Sequence, residues 1–253
     1  MLSGAMERNA IIETLHAALA AVDAVEGVWL AGSEAFGRAD ELSDIDVAVI
    51  VPEEAAAQTF DAVEAALERL GGIAAVWRVP LEGGFEIAQR FYRLHGAPEW
   101  LMIDVALVRP DQVDRWLDPV RHGVPRVLFD RTGRIRPVDD ASLAARFAES
   151  LVNLKARTAL LGHLPAKELA RGKVVEAHYF WQKFLIGTLV EVLRARYAPR
   201  RQDFGLRYLH LDLPSDVYAR LEKLMLVGDA AGLGRAIDAT RTWLDEELAA
   251  LPT

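Results

Sequence analysis

Residues 28–51 read VWLAGSEAFGRADELSDIDVAVIV and contain two apolar runs joined by a polar, glycine-containing loop. The first run, Val28–Ala31, and the second, Ile45–Val51, each predict a buried strand. Asp44 and Asp46 stand at the start of the second run. Because residues i and i+2 of a strand point to the same face, these two carboxylates are expected to lie side by side.

Neighbouring carboxylates on a buried strand call for a cation, since burying them without one costs several kcal/mol. The natural partner is a hard divalent ion with oxygen ligands, Mg²⁺ first. Gly32 permits close backbone approach. Ser33 offers a hydroxyl and can cap a following helix, whose free N–H groups attract phosphate. A phosphate cradle beside a metal-binding carboxylate pair favours phosphoryl or nucleotidyl transfer. The alternative interpretation is a capped turn before a strand with an acidic start.

The motif, an apolar run ending in Gly32-Ser33, ten intervening residues and then Asp-x-Asp, resembles the DNA polymerase β-like nucleotidyltransferase superfamily. Gly32-Ser33 match its glycine-serine signature, and Ser43-Asp44-Ile45-Asp46 match its SDxD element. The resemblance implies a metal-dependent nucleotidyltransferase. Many members carry an arginine before the second glycine of the loop, whereas here Phe36 precedes Gly37 and Arg38 follows it.

The composition is that of an ordinary globular protein. The chain has 253 residues, 52% of them hydrophobic and 26% charged, which is enough for one large domain or two modest ones. It has no cysteine, so disulfides, thiolate metal sites and cysteine nucleophiles are excluded, as fits a reducing cytoplasm. The first ten residues lack the basic and apolar regions of a signal peptide, and a cytoplasmic location without a membrane partner is expected.

Charge is divided unevenly along the chain. Residues 1–140 hold 13 Lys and Arg against 24 Asp and Glu, a net charge of −11, and contain no lysine. Residues 141–253 hold 16 against 13, a net charge of +3. An acidic catalytic half disfavours a nucleic acid as the main partner and suits a cationic small acceptor or a metal-bound nucleotide. The other interpretation is a solvated acidic surface with no partner.

Alternating helical and strand patterns over residues 1–138 predict an α/β nucleotidyltransferase fold with a mixed sheet and flanking helices. Helices are expected over Glu7–Val25 and 52–70, with a short one over Pro110–Leu117. The expected strands are Val28–Ser33, Asp44–Val51, Ile73–Val79, Phe85–Leu94, Glu99–Val108 and Arg126–Asp130. The predicted catalytic domain therefore spans residues 1–138.

Asp104 lies within the apolar run of the fifth predicted strand, where an unpartnered carboxylate is costly. Pairing of this strand beside Asp44 and Asp46 would supply a partner. In the superfamily that the motif resembles, a third carboxylate comes from a later strand, which implies that Asp104 is a catalytic residue and a metal ligand. The alternative is a hydrogen-bonded structural aspartate.

Residues 139–253 are helical in pattern and predict a bundle of four or five helices. The expected helices are Ala141–Gly162, Ala166–Tyr197, Ser215–Val227 and Ala230–Leu251. Gln182, Lys183 and Glu191 interrupt the most apolar segment, so it predicts a buried helix rather than a membrane span. In order and length this half resembles the helical domain of aminoglycoside-type nucleotidyltransferases.

Glu176 and Lys183 are spaced to share one face of the second of these helices, together with Phe180 and Gly187. If that face lines a cleft between the domains, Lys183 reaches the triphosphate and Glu176 holds a cationic acceptor. The alternative is an ion pair between Glu176 and a neighbouring base, with the aromatic residues in the core.

These observations predict transfer of a nucleoside monophosphate from a nucleoside triphosphate, ATP first, to a hydroxyl of a small neutral or cationic acceptor. Two Mg²⁺ ions would be held by Asp44, Asp46 and Asp104, and Gly32 and Ser33 would bind the nucleotide. Two alternatives remain: a protein- or RNA-modifying nucleotidyltransferase of the toxin–antitoxin type, and a non-catalytic nucleotide-binding module on the same fold. The sequence leaves the oligomeric state open.

Overall fold

The computed structural model describes residues 7–80, 87–139 and 153–250. The chain divides into two compact units, Met1–Asp139 and Asp140–Thr253. Across the described ranges, no helix is both long enough and apolar enough to cross a membrane.

The N-terminal unit is built on one mixed sheet. Its strands are β1 (Gly27–Leu30), β2 (Ile45–Ile50), β3 (Ile73–Arg78), β4 (Ile87–Leu94), β5 (Ile103–Val108) and β6 (Arg126–Asp130). Its helices are α1 (Arg8–Ala20), α2 (Gly32–Ala35), α3 (Ala56–Leu70) and α4 (Pro119–His122), with 3₁₀ turns at Glu53–Ala55 and Val113–Trp116. The strand order is β3-β4-β5-β2-β1-β6; β2 and β5 are parallel, and the other neighbours are antiparallel. The expected α/β fold is confirmed.

The two faces of this sheet are covered unequally. Alternate residues of β2 and β5, among them Val47 and Val105, are buried in a core that also contains residues of α1 and α3. The residues between them face the opposite side, where a smaller cluster around Trp29 covers Ala48 and Ile50. The first part of β2 and β5 on that side remains half-buried. We call this side the open face.

The first helix ends earlier than its sequence pattern predicts. A helix was expected to Val25, whereas α1 ends at Ala20. The Arg131 guanidinium, from the turn after β6, donates to the carbonyl oxygens of Ala20 at 2.6 Å, Val22 at 3.0 Å and Val25 at 2.7 Å. These carbonyls lack helical partners at a helix end, so a distant cation replaces the next helical turn.

Two other elements differ from the pattern in the N-terminal unit. The strand expected from Glu99 begins at Ile103, because Leu101 N–H donates to the Pro98 carbonyl and closes a turn. The helix expected over 110–117 is only the 3₁₀ turn Val113–Trp116.

The C-terminal unit is helical, with more and shorter helices than the four or five expected. They are α5 (described over 153–161), α6 (Leu164–Ala170), α7 (Val174–Phe180), α8 (Gly187–Tyr197), α9 (Leu209–Asp212), α10 (Ser215–Met225) and α11 (Ala230–Ala250), with a 3₁₀ segment at Pro199–Phe204. Most of the predicted helix Ala141–Gly162 lies outside the described residues. The core is formed around Trp181 and Trp243, and the buried Arg194 pairs with Asp212.

The long helix expected over Ala166–Tyr197 is broken once and contains one π-helical segment. Gly172, with φ +75°, closes α6 in the left-handed region that favours glycine. Between α7 and α8, Trp181–Ile186 form a π-helix whose ends have helical backbone angles, so the chain stays helical from Val174 to Tyr197. A π segment has a wider turn than an α-helix, and it changes which residues share a face.

The turn after β6 depends on one carboxylate. Asp130 accepts hydrogen bonds from the backbone N–H groups of Thr132 at 3.1 Å, Gly133 at 2.9 Å and Ile135 at 2.8 Å. Partial burial raises the pKa of Asp130, but the backbone hydrogen bonds outweigh it, and the pKa lies below its ordinary value.

A carboxylate with a lowered folded-state pKa stabilises the fold above its unfolded pKa, about 3.9 for Asp, and this contribution is lost as pH falls through the folded pKa. We therefore expect Asp130→Ala to lower the free energy of unfolding by about 1 kcal/mol at neutral pH, and by less at about pH 3. Urea unfolding across this pH range measures the difference. Asp61→Ala, an exposed position on α3, is the control and should leave the pH dependence unchanged. Equal losses at both pH values would contradict the prediction.

Candidate active site on the open face of the sheet

The two aspartates that the sequence places on different strands meet in the sheet. β2 and β5 pair in parallel with Asp46 opposite Asp104. Register partners on parallel strands project to the same face, and both side chains are half-buried on the open face. The pairing that the sequence argument required for Asp104 is therefore present.

Asp44 lies one residue before β2 and on the same side as Asp46 by strand alternation. Its carboxylate accepts a hydrogen bond from the Met102 N–H at 3.3 Å, just before β5. Ile45 N–H in turn donates to the Met102 carbonyl at 2.9 Å. The SDxD segment is thus hydrogen-bonded to the residue before β5 through both Asp44 and Ile45.

Gly32 makes the closest approach to the carboxylates. Its φ is +53°, and a Cβ built at this position would lie 1.9 Å from Oδ2 of Asp46. The Ala31 N–H donates to the Asp46 carbonyl at 2.9 Å, which fixes the turn against β2. No side chain larger than hydrogen fits here while the Asp46 carboxylate keeps its position.

Ser33 is the second residue of the short helix α2. Its hydroxyl oxygen is shielded from solvent and makes no hydrogen bond within the described residues. A shielded hydroxyl without a partner is uncommon because its desolvation is then uncompensated. Beside a carboxylate pair, this hydroxyl is available to an oxyanion or to a metal-bound water.

An ion network that the sequence did not reveal holds this turn. Glu34 of α2 accepts from Arg8 of α1 at 3.3 Å and from Arg126 of β6 at 2.9 Å. The Arg8 guanidinium also donates to the carbonyl of Ser43, so one side chain joins the Gly-Ser turn to the SDxD segment. Arg8 is 26 and 35 residues from these partners. Local sequence patterns carry no signal at such separations.

Ser43, the first residue of the SDxD element, has a structural role. Its hydroxyl donates to Oδ1 of Asp40 at 2.7 Å and accepts from the Asp40 N–H at 2.9 Å. The hydrogen bond from the Ser43 hydroxyl, together with one from the Leu42 N–H, holds the pKa of Asp40 below its ordinary value. The loop between the two motifs is thereby closed on itself.

Gln89 of β4 is a further site residue that the sequence analysis missed. Its side-chain amide nitrogen lies 2.7 Å from both carboxylate oxygens of Asp104. A neutral donor at this place orients the carboxylate without cancelling its charge. The alternation of β4 predicted a strand, but nothing in it indicated that Gln89 would face Asp104.

The residues are compatible with a divalent cation. Half-buried carboxylates in register and the shielded Ser33 hydroxyl are oxygen donors of the kind that Mg²⁺ takes. Across residues 7–80, 87–139 and 153–250, no group of three or more His, Asp or Glu side chains is placed so that it could hold a metal ion. The structure thus brings Asp46 and Asp104 together and leaves Asp44 turned toward Met102.

Glu176, expected at the acceptor, and Lys183, expected at the triphosphate, are both exposed in the C-terminal unit. The Lys183 ammonium lies 3.4 Å from the Tyr179 hydroxyl, and Glu176 makes no ion pair within the described residues. Trp181–Ile186 form a π-helix, so α-helical spacing does not apply between Phe180 and Gly187. The common face and the roles of Glu176 and Lys183 in binding remain predictions.

Comparison with known proteins agrees with the fold and the motif. Residues 12–81 match the family model described as nucleotidyltransferase domain, a segment that contains Gly32, Ser33, Asp44 and Asp46 but not Asp104. Together with the sheet, this match defines a nucleotidyltransferase-like domain in the N-terminal unit. The nucleotidyltransferase resemblance is confirmed at this level, and the closer resemblance to aminoglycoside-type enzymes remains a prediction.

Among the solved structures that match is a nucleotidyltransferase-like protein from Exiguobacterium sibiricum 255-15, at 15% sequence identity and a TM-score of 0.43. The alignment covers 96% of this chain and 75% of that chain. Among curated proteins, no significant match was found.

The contact between Gly32 and Asp46 leads to a matched pair of substitutions. Gly32→Ala and Gly37→Ala both place a side chain at positive φ, +53° and +62°, which costs about 1–2 kcal/mol. Only Gly32→Ala also forces a Cβ onto a carboxylate, since no atom lies within 4 Å of the Cβ built at Gly37. We expect Gly32→Ala to lose clearly more stability in urea unfolding and to lose nucleotidyl transfer. Equal behaviour of the two variants would contradict the close packing of Gly32 on Asp46.

Proposed function

We propose that this protein is a nucleotidyltransferase that moves a nucleoside monophosphate from a nucleoside triphosphate, ATP first, to a hydroxyl of a small acceptor. The observation that carries the proposal is the alignment of Asp46 with Asp104 beside the Gly32-Ser33 turn. The match of residues 12–81 to a nucleotidyltransferase domain supports it. The attacking hydroxyl displaces pyrophosphate at the α-phosphorus, and its proton is released.

Gly32 and Ser33 bind the phosphates in this proposal. Gly32 lets the backbone approach them closely, and the Ser33 hydroxyl donates to a phosphate oxygen. Glu34 and its two arginine partners, Arg8 and Arg126, hold the turn in place together with backbone hydrogen bonds from Gly37 and Arg38.

Asp44, Asp46 and Asp104 are the ligands proposed for two Mg²⁺ ions, which when bound neutralise phosphate charge and lower the pKa of the acceptor hydroxyl. Asp104 also accepts the proton of that hydroxyl as general base. Gln89 holds the Asp104 carboxylate toward the open face by donating to it. A purely nucleotide-binding module would not need a third carboxylate in register with the second.

The proposal separates the roles of two carboxylates. Asp46→Asn removes a charged ligand and should abolish turnover with the fold intact. Asp104→Asn should lower the chemical rate by roughly two to four orders of magnitude, with ATP affinity nearly unchanged because Gly32 and Ser33 hold the phosphates. The measurement is transfer of label from radiolabelled nucleoside triphosphates to acceptor pools with Mg²⁺ present.

Asp61→Asn on α3 is the matched control, because it removes one carboxylate from the opposite side of the unit. It should retain wild-type turnover. Normal activity of Asp46→Asn would refute the metal assignment. Loss of folding in Asp104→Asn, with no separate kinetic effect, would show a structural aspartate instead.

The acceptor is expected to be neutral or cationic. Residues 1–140 carry a net charge of −11, and three aspartates with a bound triphosphate outweigh the charge of two Mg²⁺ ions. A polyphosphate acceptor would be repelled by about 1 kcal/mol for each close charge pair even in water. Amino-alcohols of the aminoglycoside kind are the leading candidates.

Calorimetry across a salt series tests this charge argument, with a non-hydrolysable ATP analogue and Mg²⁺ present. Amino sugars should bind, more weakly as salt rises, because screening reduces their attraction to the carboxylates. An RNA that binds with steep salt dependence, while amino sugars do not bind, would instead favour the RNA-modifying alternative.

A further inference from the structure

An aromatic pair, one exposed and one half-buried, lies in line with the carboxylates. Trp77 of the edge strand β3 is opposite Phe91 of β4, and Phe91 is opposite Asp104 of β5. Since Asp104 is opposite Asp46, the four residues form one row across β3, β4, β5 and β2. Trp77 is 59% exposed although it is a large apolar side chain.

The aromatic pair is on the open face. The neighbours that alternate with the pair, Val76 and Tyr92, belong to the core on the helical side of the sheet. By strand alternation, Trp77 and Phe91 therefore project to the same side as Asp104. Their rings stack with centroids 5.1 Å apart and an interplanar angle of 17°. We call these two residues the aromatic platform.

An exposed tryptophan on an edge strand, stacked on a half-buried phenylalanine of the next strand, is costly to maintain unless it binds something. Exposed apolar side chains on edge strands promote unwanted association, and proteins ordinarily place charges there. A flat aromatic surface binds rings: it stacks on planar groups, packs on the apolar face of sugars and attracts cations. The platform has the surface of a ring-binding site.

The position of the platform indicates which reactant it binds, and this step rests on the proposed function. In an in-line displacement the attacking group and the leaving pyrophosphate lie on opposite sides of the phosphorus. The Gly32-Ser33 turn follows β1 and lies on one side of Asp46, whereas the platform on β4 and β3 lies beyond Asp104 on the other. The platform is therefore on the side from which the acceptor attacks.

We propose that Trp77 and Phe91 stack on the ring of the acceptor and so present its hydroxyl to Asp104. Neighbouring strands are about 4.8 Å apart, so the platform spans about two strand spacings from Asp104, a distance suited to one or two linked rings. The acceptor is a hydroxylated ring compound without negative charge, a sugar or an amino sugar. Its amino groups complement the adjacent carboxylates, and its apolar ring face covers Trp77.

The test compares Trp77→Leu, which keeps an apolar side chain without a flat ring, with Trp77→Phe, which keeps the ring. Calorimetry with the full chain uses kanamycin, methyl glucoside, spermidine and a short RNA as probes. We expect Trp77→Leu to weaken kanamycin and methyl glucoside binding by about tenfold or more, and Trp77→Phe to weaken it much less. Spermidine is cationic but has no ring, and its binding should be unchanged.

Val127→Ala, an exposed apolar position on the opposite edge strand β6, is the matched control and should leave all binding unchanged. Urea unfolding of each variant excludes general loss of structure. Unaltered sugar affinity in Trp77→Leu would overturn the proposal, as would failure of both sugars to bind the wild type. Binding of the RNA alone, weakened by Trp77→Leu, would also overturn it by showing a base-stacking surface.

The role of the aromatic platform and the proposed function can be refuted separately. If Trp77→Leu weakens sugar binding but the wild-type protein transfers no nucleotide to any acceptor, the sugar-binding platform is retained and the transferase proposal is rejected. If nucleotide is transferred to kanamycin and Trp77→Leu leaves the KM for kanamycin unchanged, the transferase proposal is retained and the aromatic platform is rejected as the acceptor site. A raised KM with nearly unchanged kcat at saturating kanamycin supports both.

Discussion

The candidate site in the N-terminal unit depends on one constraint, which is that two carboxylates stand in register on adjacent parallel strands. Asp46 and Asp104 occupy neighbouring positions on strands about 4.8 Å apart. Like charges on neighbouring strands of a half-buried site are unfavourable without donors or cations. Gln89 supplies a donor to Asp104, and both aspartates remain half-buried on the open face.

The Gly-Ser turn shows how a short motif depends on distant residues. Its geometry requires Gly32 because Asp46 occupies the space that a Cβ would fill. Its position, however, is maintained by Glu34 with arginines from α1 and β6. Because Arg8 is 20% and Glu34 14% exposed, this pair is better shielded than a surface ion pair, whereas Arg126 is 54% exposed. The position of the Gly-Ser turn therefore depends on three separate chain segments.

The open face arranges the proposed reaction across the sheet. The Gly-Ser turn, the carboxylates and the aromatic platform follow one another from β1 to β3. In the proposed reaction, one face of the sheet accommodates the leaving group, the reacting centre and the acceptor in sequence. The same order explains why an edge strand carries a tryptophan instead of the charged residue that would protect it.

The six strands and the central motif could be predicted from the local sequence pattern. Side-chain alternation and apolar runs reflect burial within a few residues, so all six strands and the Gly32-Ser33 and Asp44–Asp46 elements could be located without a structure. The sequence also indicated that the Asp104 carboxylate needs a partner, because burying a lone carboxylate in an apolar strand is costly.

Only the tertiary structure determined which distant residues meet. Arg131 donates to carbonyl oxygens at the end of α1 that are more than one hundred residues away. Strand register places Gln89 and Trp77 on the same face of the sheet as Asp104. The π segment beginning at Trp181 interrupts the α-helical spacing that the sequence pattern had implied. Periodicity records which side of an element is buried, whereas register, ion pairs and helix irregularities are set by the free energy of the whole packed unit.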